Sequence, residues 1–477
     1  MYDIAIVGCG IVGAAAAFEL SRYDLSIAIV ERENDVATGT TKANTAIVHA
    51  GYDPKPGTLM ARLNVRGNAL IKELCGKLDV PYRQCGSLVL AFSREEQSLL
   101  ESLMGRGEAN GVPGLELLDS ARLHEIEPNV SDEAVAALYA PSAGTVSPWE
   151  LALALAECAV DNGADLVLES AVSGIEKTDG GFRLLTVHGA LEARYILNAA
   201  GVRSDEIHNM VAPPAFRIIP DRGEYYLLDK SEGSRVSHVI FQCPDKLGKG
   251  TVVAPTVHGN LIVGPNNEPP RFPEDTATTS EGLALVAQRA KRSIPSVNLH
   301  ECIRTFAGIR AAADVDDFIL VEVPGAPGFI DLAGIKSPGL TAAPAIAEMA
   351  VELLAKSGLA LTPKASFLIG RKCVRFSGLS ADEKAELIKR DPSYGRVVCR
   401  CETVTEGEIR ATLRGSVPPR SIDGVKRRTS TGMGRCQGGF CGPRVLEILA
   451  HELGAPPWEI TQDLEKSHVL IGETKGG

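Results

Sequence analysis

Short, continuously apolar runs alternate with small-residue segments at the start of the chain. DIAIV (3–7) suits a strand buried on both faces, AAAAFELSR (14–22) is a good helix, and a second apolar run, SIAIV, leads to Glu31. Further on, AIVHAGY (46–52) reads as a short β segment, and a helix begins near PGTLMARL (56–63). WELALALAECAV (149–160) is helical, and ARYILNAAG (193–201) is a strand ending in a small-residue turn. RGEYYLLD (222–229) and VVAPTVHGNLIVGPN (252–266) are strand-like runs, with His258 in the hairpin turn HGN. FAGIRAAADVDDFIL (306–320) and FIDLAGIKSPGLTAAPAIAE (329–348) add strand-like runs, the second opening a last long helix. The pattern predicts an α/β protein.

Between the first strand and helix, Gly8, Gly10 and Gly13 form G-x-G-x-x-G, and Glu31 closes the second run about 20 residues on. Gly8 permits a tight turn, Gly10 lets backbone approach a pyrophosphate, and Gly13 lets helix and strand pack closely. The helix N-terminus stabilises phosphate charge, and a carboxylate at Glu31 suits ribose hydroxyls. Strand, glycines, helix, strand and acid in this order predict a Rossmann-type dinucleotide site.

Composition narrows the partners. The 477 residues carry a net charge of −11, which argues against nucleic acid and leaves an anionic substrate to be held by local Arg or Lys. Hydrophobic residues make up 44%, no secretory signal is read, and WELALALAECAV is too short to span a bilayer. Eleven cysteines without a disulfide rhythm fit a reducing, cytoplasmic setting, with peripheral membrane contact through a partner left open.

After Glu31 the chain gives a polar loop, TGTTKANT (38–45), then AIVHAGY, where a nicotinamide enzyme would start another strand–helix unit. This order resembles the FAD-dependent superfamily of D-amino-acid oxidase and glycine oxidase. TTKANTAIVHAGYD, PGTLMARLNVRGN and LYAPSAGTVSPWELALAL are most similar to its branch of glycerol-3-phosphate and L-2-hydroxyglutarate dehydrogenases. The resemblance covers roughly residues 1–370 and implies a Rossmann-type FAD-binding domain with an inserted antiparallel-sheet substrate domain, to which RGEYYLLD and VVAPTVHGNLIVGPN are similar. It implies that Thr40, Thr41, Asn44 and Thr45 wrap the FAD, with Val172, Ala200, Gly201 and Gly308 beside it. It also implies a closing helix after Gly339, Leu340 and Thr341 whose N–H groups face the flavin.

The implied chemistry is hydride transfer from a secondary alcohol to flavin N5 while a base takes the hydroxyl proton. By resemblance, Arg310 binds a phosphate or carboxylate in its fork, Lys336 assists, and His49 is the base or relay candidate. Tyr225 and Glu224 are in reach of the substrate cavity, and Trp149 reads as core. TTKANT, RLNVRGN and GIKSPG lean toward sn-glycerol 3-phosphate, LYAPSAGTVSPWE toward L-2-hydroxyglutarate; amino-acid oxidation is the third reading.

Near the end, Cys399 and Cys401 form C-x-C, and Cys436 and Cys441 form C-x4-C. Four thiolates so spaced imply a metal site, zinc or iron–sulfur. Zinc sites usually pair cysteines as C-x2–4-C. The spacing resembles the bacterioferritin-associated-ferredoxin module, which implies a [2Fe-2S] cluster, with Gly432, Gly434, Gly438 and Gly439 letting bare backbone approach sulfide. An oxidase needs no cluster, whereas a one-electron centre makes sense as a wire. The expectation is therefore a dehydrogenase passing electrons to a protein acceptor, a second redox subunit, with homo- and hetero-oligomers both left open. A non-catalytic FAD/Fe–S subunit is the competing class.

The expected organisation is a discontinuous FAD-binding domain (1–75, 145–215, 300–370), a substrate domain (76–144, 216–299), a linker (371–395) and a small helical iron–sulfur domain (396–470).

Overall fold

A computed structural model describes residues 1–244 and 250–474. Strand Tyr2–Val7 lies at the centre of the first sheet, parallel to Ile27–Val30 on one side and Gly189–Asn198 on the other. Its continuous apolar face on both sides is the reason: only a strand covered twice can be so apolar. Asp165–Val167 extends the sheet beyond Ile27–Val30, and Phe329–Ala333 joins Gly189–Asn198 in parallel. The alanines of helix Ile11–Leu20 let helices Pro148–Asp161 and Gly339–Lys356 pack closely against it. Gly13 is the tightest point, because a β-carbon there would stand 2.0 Å from the Gly8 carbonyl oxygen.

That distance carries a prediction. Gly13→Ala forces apart strand and helix backbone, so it should cost at least the ~1–3 kcal/mol typical of overpacking and leave the chain short of flavin. Flavin absorbance per purified chain, with the thermal midpoint, checks it; full flavin content with an unmoved midpoint would refute it.

Among the described residues the second sheet has eight strands, ordered Cys302–Arg310, Asp221–Leu228, Leu261–Gly264, Val252–Pro255, Val239–Gln242, Ser87–Ala91, Ala136–Ala140 and Glu116–Asp119. The strand Cys302–Arg310, expected with the nucleotide-binding unit, pairs instead along Asp221–Leu228 in this second sheet. The run AIVHAGY contributes only the two-residue strand Ile47–Val48, paired with Gly144–Val146. Helix Pro148–Asp161 is almost wholly buried, which explains its apolarity. Among the described residues no helix is long and apolar enough to cross a membrane.

The C-terminal module holds helices Glu406–Leu413, Ile422–Thr429 and Gly442–Leu453 around its own small core. The linker before it is strapped down: Arg371 pairs with Glu157, and Arg375 with Asp79 and Glu150. The module is then clamped to the first domain. Asp35, 1% exposed, accepts from Arg427 at 2.8 Å and from Arg428 at 2.8 and 2.9 Å. Asp463 bridges Arg427 at 2.7 Å and Lys42 at 2.6 Å, and its carbonyl accepts from Asn34.

Candidate functional site

A cavity of about 1390 Å³ runs from the glycine turn, across both sheets, to the edge of the C-terminal module. It exceeds the ~300–1,000 Å³ of a typical single-ligand pocket, as a dinucleotide with a substrate beside it requires.

At the nucleotide end the wall is Gly8, Gly10, Glu31, Val172, Ala200 and Gly201. Gly8 sits at φ +98°, a left-handed conformation that turns the chain sharply from strand to helix. Glu31 is held by backbone donors, Cys9 N–H to one carboxylate oxygen at 2.7 Å and Glu33 N–H to the other at 3.0 Å. Burial raises its pKa against those two hydrogen bonds. Ile11 N–H donates to Thr41 Oγ1 at 3.0 Å, and Thr40 Oγ1 donates to the Ile309 carbonyl, so the polar loop bridges the glycine turn and the second sheet. Asn44 caps the same loop through the Thr41 carbonyl and Ala46 N–H, and Thr45 lies on the cavity wall. Gly308 is needed where the loop crosses the sheet, since a β-carbon would come within 1.9 Å of the Ala43 carbonyl oxygen. This bare-backbone cradle fits the FAD that the fold implies.

The closing helix begins at Gly339 rather than after Thr341. Gly339 and Leu340 line the cavity, but Thr341 is fully buried beside it. Its hydroxyl accepts from His49 N–H at 2.9 Å and contacts the Ile47 carbonyl at 3.3 Å. Thr341 therefore positions the His49 segment instead of lining the cavity. Gly13 is likewise behind the wall, in the packing role its spacing suggested.

His49, Arg310 and Lys336 all line this cavity. His49 Nε2 lies 3.1 Å from Ser337 Oγ, and its carbonyl accepts from Asn68 at 3.1 Å. Arg310 donates to Asp221 Oδ2 at 2.6 Å, to Asn267 at 3.1 Å and to the Asn266 carbonyl at 3.2 Å. Lys336 and Lys55 both reach Asp316, at 3.3 and 2.9 Å. Three cations thus line one cavity of an acidic chain, Arg310 on Asp221 and both lysines on Asp316.

Asp221 and Lys55 escaped the sequence reading because their roles depend on partners 89 and 261 residues away. The cue for Asp221 was its place at the head of RGEYY. Burial raises its pKa, against Arg310 and Lys336, and its Oδ1 has no hydrogen-bond partner among the described residues. Tyr225 faces the cavity, stacked on Phe306 at 4.8 Å, whereas its strand neighbour Glu224 points away and is bound by Thr279. His258 does occupy a turn, yet its ring stacks on Trp149 and both line the cavity. Burial lowers the His258 pKa, against Glu150 and Glu402.

In the C-terminal module the four cysteines form two pairs. Cys401 and Cys436 have their sulfurs 3.9 Å apart at the surface, and the Cys399 and Cys441 thiols hydrogen-bond in the interior. Among the described residues no group of three or more His, Cys, Asp or Glu is arranged for a single metal ion. Two pairs suit two irons, each needing two thiolates. Gly432 and Gly438, at φ +85° and +87°, turn their N–H groups onto Cys399 and Cys436. A β-carbon on Gly434 would lie 2.2 Å from Cys401 Cβ, so the thiol loops interlock only with glycine there. The Cys399 thiol is lowered to about 6, first by its hydrogen bond with Cys441. These residues fit a [2Fe-2S] cluster.

Residues 3–353 match the family described as FAD dependent oxidoreductase, and residues 397–451 match the BFD-like [2Fe-2S] binding domain. The chain belongs to the FAD-dependent oxidoreductase family. Its cofactors are FAD and, in the C-terminal module, a [2Fe-2S] cluster. It is 49% identical to a glycerol 3-phosphate dehydrogenase of Caloramator mitchellensis over 476 residues, 100% of this chain and 99% of the relative. A dithionite-reduced, FAD-bound L-α-glycerophosphate oxidase from Mycoplasma pneumoniae superposes with a TM-score of 0.73 at 32% identity, covering 77% of this chain and 97% of its own. An L-2-hydroxyglutarate dehydrogenase of Escherichia coli (strain K12) is 32% identical over 272 residues, 56% of this chain and 64% of that one.

Proposed function

We propose that this oxidoreductase converts sn-glycerol 3-phosphate to dihydroxyacetone phosphate and sends the electrons through its cluster to a protein acceptor. The observation that carries the reading is that Arg310, Lys336 and Lys55 line the cavity that also holds His49. A dianionic phosphate calls for such a cluster, and an apolar amino-acid side chain does not. The full-length relative named a dehydrogenase supports the acceptor half, since the oxidase leaves about a quarter of this chain without counterpart.

FAD, when bound, supplies the hydride acceptor, and the cluster supplies one-electron steps. The protein's own residues do the rest. Arg310, steadied by Asp221 and the Asn266 carbonyl, holds the phosphate, with Lys336 as second cation. His49 Nε2 takes the hydroxyl proton, its ring oriented by Ser337 and its backbone by Thr341.

Anaerobic titration with sn-glycerol 3-phosphate should bleach the flavin absorption, and His49→Asn should slow that bleaching by about 10²–10⁴-fold. Bleaching by L-2-hydroxyglutarate alone would move the substrate to that class, and an unaltered rate in His49→Asn would remove its role as base.

A further inference from the structure

The cluster's two thiol pairs differ in exposure: Cys399 and Cys441 are buried, while Cys401 is exposed and faces solvent with Cys436. Phe440 stands beside this outer pair with 89% of its surface exposed. Its backbone N–H donates to Cys436, which places the residue directly beside the outer thiol pair. Val397, 46% exposed, precedes the first cysteine. Around them the exposed cations are Arg400, between Cys399 and Cys401, and Arg396, Arg435 and Arg444, with side chains 61%, 67% and 52% exposed. The acid under Arg396 and Arg444, Glu406, is only 3% exposed; Arg444 also pairs with the exposed Glu447, and Arg435 with Glu301 and Asp229, so Arg396 and Arg400 carry the least compensated charge of the rim.

Charge is distributed to match. Residues 397–451 contain nine Lys or Arg and five Asp or Glu, a net +4 in a chain of −11; with Arg427 and Arg428 buried on Asp35, the other residues of the segment still sum to +2. An acidic macromolecule is repelled by most of the chain's surface and steered to the module. The module itself cannot swing out to meet a partner, because the buried Asp35–Arg427–Arg428 clamp holds it against the flavin domain. On its inner side Glu402 and Gln437, next in sequence to Cys401 and Cys436, line the flavin cavity.

We propose that the face around Phe440, rimmed by Arg396, Arg400, Arg435 and Arg444, is the docking surface for a small acidic one-electron carrier protein that comes to the fixed cluster. The inference rests on the dehydrogenase reading above and names its acceptor's chemistry. Oxidation of the alcohol to the ketone releases two electrons and two protons. The protons go to solvent, two carriers take one electron each, and no bond forms or breaks at the docking face.

The test uses one carrier in two charge states: a c-type cytochrome in its native basic form, and the same cytochrome made acidic by succinylating its lysines. Full-length holoenzyme is reduced anaerobically by sn-glycerol 3-phosphate, or by stoichiometric dithionite should the substrate fail, and cytochrome reduction is followed by stopped flow. The acidic form should be reduced at least about tenfold faster at low salt, and the advantage should fall as salt is raised. Arg400→Glu with Arg444→Glu should erase it, and Phe440→Ala should slow both forms, with flavin bleaching and the reduced-cluster EPR signal unchanged. A basic cytochrome reduced as fast as the acidic one, or an advantage that survives the double charge reversal, overturns the docking surface. Failure of the substrate alone to bleach the flavin overturns the dehydrogenase reading, and the dithionite arm still decides the surface.

Discussion

Arg310→Ala is expected to lower kcat/KM for sn-glycerol 3-phosphate by roughly 30- to several-thousandfold, the ~2–5 kcal/mol that truncating one partner of a desolvated charge pair costs. Two losses add. The phosphate forfeits a forked cation, and Asp221, whose Oδ2 lies 2.6 Å from Arg310, is left with its carboxylate facing the incoming anion. The effect should fall mainly on KM, because the phosphate is remote from the reacting carbon. Arg310→Lys should recover only part of it: one ammonium cannot reach Asp221, Asn267 and the Asn266 carbonyl as the guanidinium does. Flavin content serves as the control. Steady-state kinetics with an unmoved KM would remove Arg310 from the phosphate site.

Asp35→Ala should destabilise the protein by about 3–5 kcal/mol, the usual penalty for removing one member of a buried ion cluster. Arg427 and Arg428, 3% and 8% exposed, would keep their charge without their main partner. Asp463 still compensates Arg427, so Arg428 carries most of the loss. Urea unfolding followed through cluster absorbance should show the module released at lower denaturant than in the parent. Replacing all three residues together, as Asp35→Leu, Arg427→Met and Arg428→Met, should cost less than Asp35→Ala alone, because no charge is then stranded. Equal midpoints for Asp35→Ala and the parent would show that the clamp is not what holds the module.

The clamp also has a pH signature. Burial pushes the Asp35 carboxyl up, but Arg428 and Arg427 outweigh it and hold the group well below the usual carboxylate range. A folded value below the unfolded one means that the contribution is complete above about pH 3.9, where an unfolded aspartate ionises, and is lost as pH falls below that. Asp35→Asn should therefore flatten the acid limb of the stability curve and leave its shape near neutrality unchanged.

What was legible in the sequence is what nearest-neighbour geometry dictates. Gly8, Gly10, Gly13 and Glu31 share one strand–turn–helix–strand unit, so their spacing alone foretells the turn, the close packing and the carboxylate's place. The same holds for the cysteines: C-x-C and C-x4-C put thiols on two tight loops, and local glycines admit the backbone around them. The continuous apolarity of Tyr2–Val7 foretold a strand covered on both faces.

Contacts between distant segments leave no period in the chain, and those only the tertiary structure decided. The strand Cys302–Arg310 has an apolar pattern that either sheet could accept; pairing with Asp221–Leu228 settles the matter and places Arg310 against Asp221. Thr341 reads like one more flavin-facing residue of a helix start, but the crossing of Ile47–His49 over that helix turns its hydroxyl to the His49 backbone. The division of four thiols into an inner and an outer pair follows from how two loops fold over each other, not from their spacing. Asp35 is the clearest case. Four residues past Glu31 it looks like a solvated loop acid, and only the docking of arginines 392 and 393 positions away makes it the buried anchor that sets the cluster beside the flavin cavity.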